Sequence, residues 1–200
     1  MLGRPDDYAL LAQWAQGNRR AGDRLLRRHV PSLRRFFEVK APEVADDLTQ
    51  ATLLACMESR ERFRGDASFK SFLFGIARRR LLLYLRSQER QERMYGFRAA
   101  QGPDTVLTPS RCAALRQEQS AMLEGLATLP VQLQMTLQLY YWESMKVAEI
   151  AQVFAVPPST VTSRLARARE LVGARIEAGL GPQRGRAIAD DFDRWLRSLA

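Results

Sequence analysis

The sequence predicts an all-α protein: two small helical domains joined by a flexible linker. Three observations predict it. Apolar residues recur at helical spacing through most of the chain, with little period-2 alternation and no series of hairpin signals. Gly96 to Arg111 interrupts that pattern with Gly102, Pro103, Pro109 and few long apolar side chains, a linker composition. The 200 residues, 46% hydrophobic, suffice for one ordinary domain or two small ones. The expected boundaries are 1–95 for the first domain, 96–115 for the linker, 116–178 for the second domain, and 179–200 for a C-terminal extension with a short helix.

In the first block, Asp46 to Glu58 carries two apolar faces. Leu48, Ala51, Thr52 and Ala55 form one stripe, suited to a core. Asp46, Gln50, Leu53, Leu54 and Met57 form the opposite one, with Asp47 beside it. A surface helix normally shows a single apolar face. The second face therefore reads as deeper burial or as a partner surface. The acidic pair also suits a helix start on dipole grounds alone.

Glu61 to Lys70 follows as a loop around Gly65-Asp66, set among Arg62, Phe63, Arg64, Phe69 and Lys70. Aromatic and basic groups together suit single-stranded DNA, because bases stack on rings while cations follow the backbone. Ser71 to Gln88 then reads as a long helix, with Phe72, Leu73, Ile76, Leu83 and Leu85 as core candidates. From Arg78 to Arg98 seven arginines face two acids, an excess of five. The plainer reading of such a run is a solvated face.

In the second block, Leu129-Pro130 opens a helix carrying Leu133, Leu137 and Tyr141, and Glu143-Ser144 breaks it. A short helix, Val147 to Phe154, buries Ile150, Ala151 and Phe154. Ala155-Val156-Pro157-Pro158 then leads into a last helix running to about Val172. Proline suits a first helical turn, where its missing N–H has no intrahelical partner in any case. Two helices joined by a tight turn make a helix-turn-helix. In the last helix Val161, Leu165, Ala168 and Val172 point inward. Ser159, Ser163, Ala166 and Arg167 lie opposite, flanked by Thr162, Arg164 and Arg169. Small residues let such a helix sit deep in a major groove, with arginines reaching phosphates or guanine edges. Lys146 stands where a Ser or Thr cap would complete a capping box with Glu149, so that box is expected to be lost. In the tail, Ile188, Phe192, Trp195, Leu196 and Leu199 recur at helical spacing; the segment could pack on the second domain, bind a partner or regulate, and the need to bury Phe192, Trp195, Leu196 and Leu199 favours packing.

The whole chain carries 31 Lys+Arg against 22 Asp+Glu, a net charge of +9. That surplus suits a polyanionic partner, nucleic acid or anionic lipid, and equally a solvated basic surface. The apolar stretches either side of Arg78-Arg79-Arg80 are too short to span a membrane, which takes about 20 residues. Met1 to Tyr8 lacks the apolar run of a signal peptide. Cys56 and Cys112 form no metal-ligand spacing, and His29 is the single histidine. A reducing cytoplasm, no metal and no cofactor are expected.

Two groups of residues now carry a resemblance. Asp46-Asp47-Leu48-x-Gln50, then Arg62 to Phe69, then Leu73-Phe74-x-Ile76-Ala77-Arg78 and Leu85-Arg86 resemble region 2 of sigma factors. Leu129-Pro130, Tyr141, Glu143, Glu149-Ile150-Ala151, Val156-Pro157 and Thr160 to Arg169 resemble region 4 of the extracytoplasmic-function (ECF) type. The resemblance implies a transcription initiation factor of the sigma-70 family. Its partners would be core RNA polymerase (the beta-prime clamp helices and the beta flap), promoter DNA and, as in many family members, an anti-sigma factor.

Carried over by position, Asp46, Asp47, Gln50, Leu53 and Met57 would dock on the clamp helices. Phe63, Arg64, Asp66, Ser68, Lys70, Arg79 and Arg80 would capture the non-template strand of the minus-ten element. Thr162, Ser163, Ala166 and Arg167 would face minus-thirty-five bases, with Ser159, Thr160, Arg164 and Arg169 on phosphate. The sequence departs from the family at Ala51, usually Glu; Phe72, usually Trp; Arg79, commonly Asn; and Leu83, commonly Asp. Thr162 stands where a basic residue is usual, and Ala166 where a bulkier one is.

Two other classes compete on residues alone. A free-standing helix-turn-helix regulator would bind duplex DNA without polymerase. A nuclease would need a metal or nucleophile constellation, and the chain offers no HxxH, GxSxG or phosphate-cradling glycine loop. Asp46 and Asp47 point about 100° apart on a helix, a poor joint metal site.

Overall fold

The computed structural model describes residues 7–60, 63, 67–95, 125–181 and 192–198, all helical or in the turns between helices. By packing, the chain falls into two units: Met1–Phe97 with Gln152–Phe154, and Arg98–Ala151 with Ala155–Ala200. The linker expected at 96–115 lies outside the described residues.

The first unit contains α1 (Asp7–Ala15), α2 (Arg19–Glu38), a short 3-10 turn (Pro42–Val44), α3 (Ala45–Glu58) and α4 (Phe69–Tyr95). Asn18 caps α2 with its side chain, accepting from the Ala21 N–H at 3.2 Å. Gly22 is required where α1 crosses α2, since a Cβ there would lie 2.6 Å from the Trp14 indole nitrogen. The same pair of helices is pinned by Asp7, which meets His29 Nε2 at 2.8 Å and Arg28 at 3.2 Å. Leu25, Leu33, Phe36, Phe37, Leu73, Phe74 and Leu81 make the core, with Phe36 edge-on to Phe37 and to Phe74. Tyr84 donates to Glu43 at 2.6 Å, tying α4 to the 3-10 turn.

Three expectations are corrected in this unit. The stripe that α3 buries is Ala45, Thr49, Thr52 and Cys56, while Leu48, Ala51 and Ala55 are only half-buried. Small side chains let α3 approach closely. The two threonine hydroxyls survive burial by donating to the Ala45 and Leu48 carbonyls at 2.7 Å. Burial pushes the Cys56 thiol up to about 12. Leu83 is not core but 59% exposed, and Leu85 is half-buried. Finally α4 is longer than expected, 27 residues, because no breaker intervenes before Gly96.

The second unit contains α5 (Val131–Leu137), continued by one π-helical turn (Gln138–Trp142), then α6 (Val147–Phe154) except its last three residues, α7 (Pro158–Leu180) and α8 (Phe192–Ser198). The wide turn ends at Glu143, whose N–H returns to the Gln138 carbonyl at 3.1 Å. Ser144 and Ala155 take left-handed conformations (φ 51° and 53°) at the turns either side of α6. The capping box expected to be lost is half present. Lys146 offers no side-chain oxygen, yet Glu149 reaches back to accept the Lys146 N–H at 2.9 Å. The last helix of the motif passes Val172 and ends only at Gly181, at φ 85°. Its inner stripe adds Ile176 to Val161, Leu165, Ala168 and Val172. The tail helix covers part of the expected span, Phe192–Ser198, and 187–191 lies outside the described residues.

Candidate nucleic-acid interface

Helix α7 is built to show one face. Successive residues turn by about 100°, so burying Val161, Leu165, Ala168 and Val172 turns Ser159, Thr162, Ser163, Ala166 and Arg167 outward. All five are exposed. Among the described residues their polar contacts lie within the helix: Thr162 donates to the Pro158 carbonyl at 3.3 Å, and Arg167 pairs with Glu170 at 2.8 Å. An exposed i,i+3 ion pair is weak and exchanges readily. Thr160, Arg164 and Arg169 are half-buried at the margins.

Arg169 is held differently. Its guanidinium donates to the Tyr141 hydroxyl at 3.0 Å from Nε and meets the Asp193 carboxylate of α8 at 3.2 Å. It also lies 5.7 Å from the Tyr141 ring centre. Tyr141 in turn donates to Asp193. Burial and that carboxylate push the Tyr141 hydroxyl up to about 12. Burial opposes the charge on Arg169, but Tyr141 and Asp193 outweigh it and raise its pKa. The three-residue knot was missed from sequence because its members are 24 and 52 positions apart from Asp193.

On α3, Asp46, Asp47, Gln50 and Met57 are exposed and Leu53 is half-buried. Asp46 is paired with Arg34 of α2 at 3.0 Å. Leu54, outside the set carried over by resemblance, is 59% exposed and Met57 is 50% exposed. Gln50, Leu54 and Met57 thus make an apolar-centred ridge at i, i+4, i+7. The doubled apolar face was the signal that pointed to it.

The loop before α4 is tied into the fold. Phe63 is half-buried, its ring 5.2 Å from Phe72 and 6.2 Å from Phe69. Ser68 is the N-cap of α4, accepting from the Ser71 N–H at 3.1 Å and sharing a 2.9 Å contact with its hydroxyl. Lys70 lies 5.9 Å over the Phe74 ring. Arg79 and Arg80 are exposed on α4, and Arg79 donates to the Gly75 carbonyl at 3.4 Å. Arg64 and Asp66 lie outside the described residues. No helix among the described residues is long and apolar enough to cross a membrane.

The chain matches two family profiles in succession: "Sigma-70 region 2" over residues 23–91 and "Sigma-70, region 4" over residues 119–172. It is 30% identical over 165 residues to the ECF RNA polymerase sigma factor SigM of Mycobacterium tuberculosis, covering 82% of this chain and 81% of that one. It is 27% identical over 190 residues to the RNA polymerase sigma-H factor of Pseudomonas aeruginosa, covering 88% and 97%. Among solved structures, CnrH in complex with the cytosolic domain of CnrY is similar at a TM-score of 0.60 and 26% identity, covering 86% of this chain and 97% of that one. The fold is shared with RpoE of Bartonella quintana, solved with the anti-sigma factor NepR, at a TM-score of 0.63 and 20% identity over 78% and 96% of the two chains.

A region 2 followed by a region 4 defines sigma-70-type initiation factors. Within them, this chain belongs to the ECF sigma factors, non-enzymatic proteins that bind RNA polymerase and direct it to promoters.

Proposed function

We propose that the chain divides promoter recognition between domains at 1–95 and 116–178, joined by a linker at 96–115 and followed by an extension at 179–200. The second domain reads the minus-thirty-five element. Thr162, Ser163, Ala166 and Arg167 meet bases; Ser159, Thr160, Arg164 and Arg169 meet phosphate. The observation that carries this reading is the outward face of α7, exposed and small-residued, with Arg167 along one edge. A bidentate Arg–guanine contact discriminates by about 1–3 kcal/mol.

The first domain docks on the beta-prime clamp helices through Asp46, Asp47, Gln50, Leu53 and Met57, with Leu54 added by its exposure. Phe63, Arg64, Asp66, Ser68, Lys70, Arg79 and Arg80 line the minus-ten strand. The loop's ties to α4 give Phe63 and Ser68 a holding role, while Arg79 and Arg80 are open to backbone phosphate. Binding energy for unstacked bases offsets the cost of melting. The beta flap is the second polymerase contact, the cytoplasm is the site of action, and an anti-sigma factor is the expected inhibitor, as in the solved relatives.

Run-off transcription with core polymerase, followed by mapping of transcript starts, tests the reading. Arg167→Ala should shift promoter choice and flatten the salt dependence of DNA binding. Gln50→Ala with Met57→Ala should weaken polymerase binding and leave the fold intact. Unchanged promoter choice sinks the first assignment, and an unfolded double variant sinks the second.

A further inference from the structure

The C-terminal helix α8 sits on the second unit at the edge of the face assigned to DNA. Two attachments hold it. The Trp142 indole N–H donates to the Leu196 carbonyl at 2.9 Å, and Leu196 itself is buried. Asp193 takes the Arg169 guanidinium and the Tyr141 hydroxyl together. Helical geometry gives this contact its meaning. At about 100° per residue, Arg164 and Arg169 fall on opposite margins of the face made by Ser159, Thr162, Ser163, Ala166 and Arg167. The margins of a groove-inserted helix are where its cations meet the two phosphate walls. At the Arg169 margin the structure places Asp193.

A carboxylate offers a guanidinium the same charge and the same acceptor geometry as a phosphate oxygen pair. The contact is neither buried nor permanent: the Arg169 and Asp193 side chains are 39% and 52% exposed. At that exposure an ion pair is worth little in net terms and can exchange with solvent anions. The apolar attachment at Leu196 keeps the carboxylate local, so its effective concentration at Arg169 is high without a strong bond.

We infer that residues 192–198 act as an intramolecular competitor for DNA, in which Asp193 occupies the guanidinium that Arg169 otherwise gives to a backbone phosphate. The inference rests on the reading of α7 as the DNA-facing helix. The tail then lowers the affinity of the second unit for any duplex, whatever its sequence. Its displacement adds one phosphate contact.

The test uses the full chain and a mixed-sequence DNA duplex, with binding followed by fluorescence anisotropy across a salt series. Asp193→Ala should bind several-fold more tightly at low salt, and its log–log salt slope should steepen by about one. Arg169→Ala alone should change little, because Arg169 is already engaged. The double variant should return to the wild-type slope. That return separates release of Arg169 from the mere loss of one negative charge, which would persist without Arg169. Thermal melting of Asp193→Ala confirms that the second unit stays folded; should it melt early, Asp193→Asn, which keeps the side-chain volume but removes the charge that holds the guanidinium, replaces it.

An Asp193 variant with unchanged or weaker binding overturns the competitor role. So does a gain that survives in the double variant. Arg167→Ala runs alongside: if it flattens the salt slope while the Asp193 variant does nothing, the DNA face stands and the competitor role falls. If Arg167→Ala also leaves the slope unchanged, the DNA-facing reading of α7 falls with it.

Discussion

The surface proposed for the minus-ten strand, on the first unit, and the one proposed for the minus-thirty-five element, on the second, are built on opposite terms. In the first, candidate DNA contacts are also structural parts: Ser68 caps α4, Phe63 packs on Phe69 and Phe72, and Lys70 covers Phe74. In the second, Ser159, Ser163, Ala166 and Arg167 stand outside the core, and what holds α7 is the separate stripe from Val161 to Ile176. A surface that must grip unstacked bases gains from rigidity, because a preorganised pocket does not repay ordering entropy on binding. A helix that reads a groove from outside can change its outward residues without disturbing its fold. The difference teaches that substitutions in the first surface will mix stability with DNA affinity, while those in the second will separate them.

Denaturation followed by tryptophan fluorescence can break or sharpen this contrast, since Trp14 belongs to the first unit and Trp142 to the second. The largest effect is expected from Phe74→Ala. Its ring is fully buried against Phe36, and its loss should destabilise the first unit by about 3–5 kcal/mol. Retained stability would mean that α4 is not anchored through this ring. Next comes the comparison of two serines. Ser68→Ala removes an N-cap and should cost about 1 kcal/mol. Ser163→Ala, on the open face of α7, should stay within about 0.5 kcal/mol of wild type. Equal costs at the two positions would erase the contrast.

A gain of about 1 kcal/mol is expected from Ala155→Gly, because Ala155 sits at φ 53° and glycine adopts that conformation without a Cβ penalty. A loss instead would show that the Ala155 methyl contributes packing that outweighs its strain. The smallest effect belongs to Arg27→Ala. It breaks an exposed i,i+4 pair with Asp23 at 2.8 Å and should change stability by at most about 0.5 kcal/mol.

Much of the architecture was legible because it is local. The breaks at Glu143-Ser144 and at Val156-Pro157 bounded α6, and the inward stripe of α7 followed from spacing alone. The recognition face followed too, since it is the complement of that stripe. Less legible were α3 and the end of α4. In the 46-to-58 stretch spacing pointed to Leu48, Ala51, Thr52 and Ala55 as the core stripe. The covered stripe proved to be Ala45, Thr49, Thr52 and Cys56, leaving Leu54 in solvent. Leu83 was read as core from its hydrophobicity, yet it is 59% exposed.

By itself, the sequence determined the all-helical class, the helix-turn-helix and the outward residues of α7. Hydrogen bonding within a helix, capping and periodicity act over a few residues and leave their mark on adjacent letters. Only the tertiary structure decided which face of α3 is buried, that Ser68 and Phe63 are tied to α4, and that Arg169 is held by Tyr141 and Asp193. Those outcomes depend on which distant segments come within a few ångströms of one another. That proximity arises from packing the helices together, and no short-range pattern encodes it.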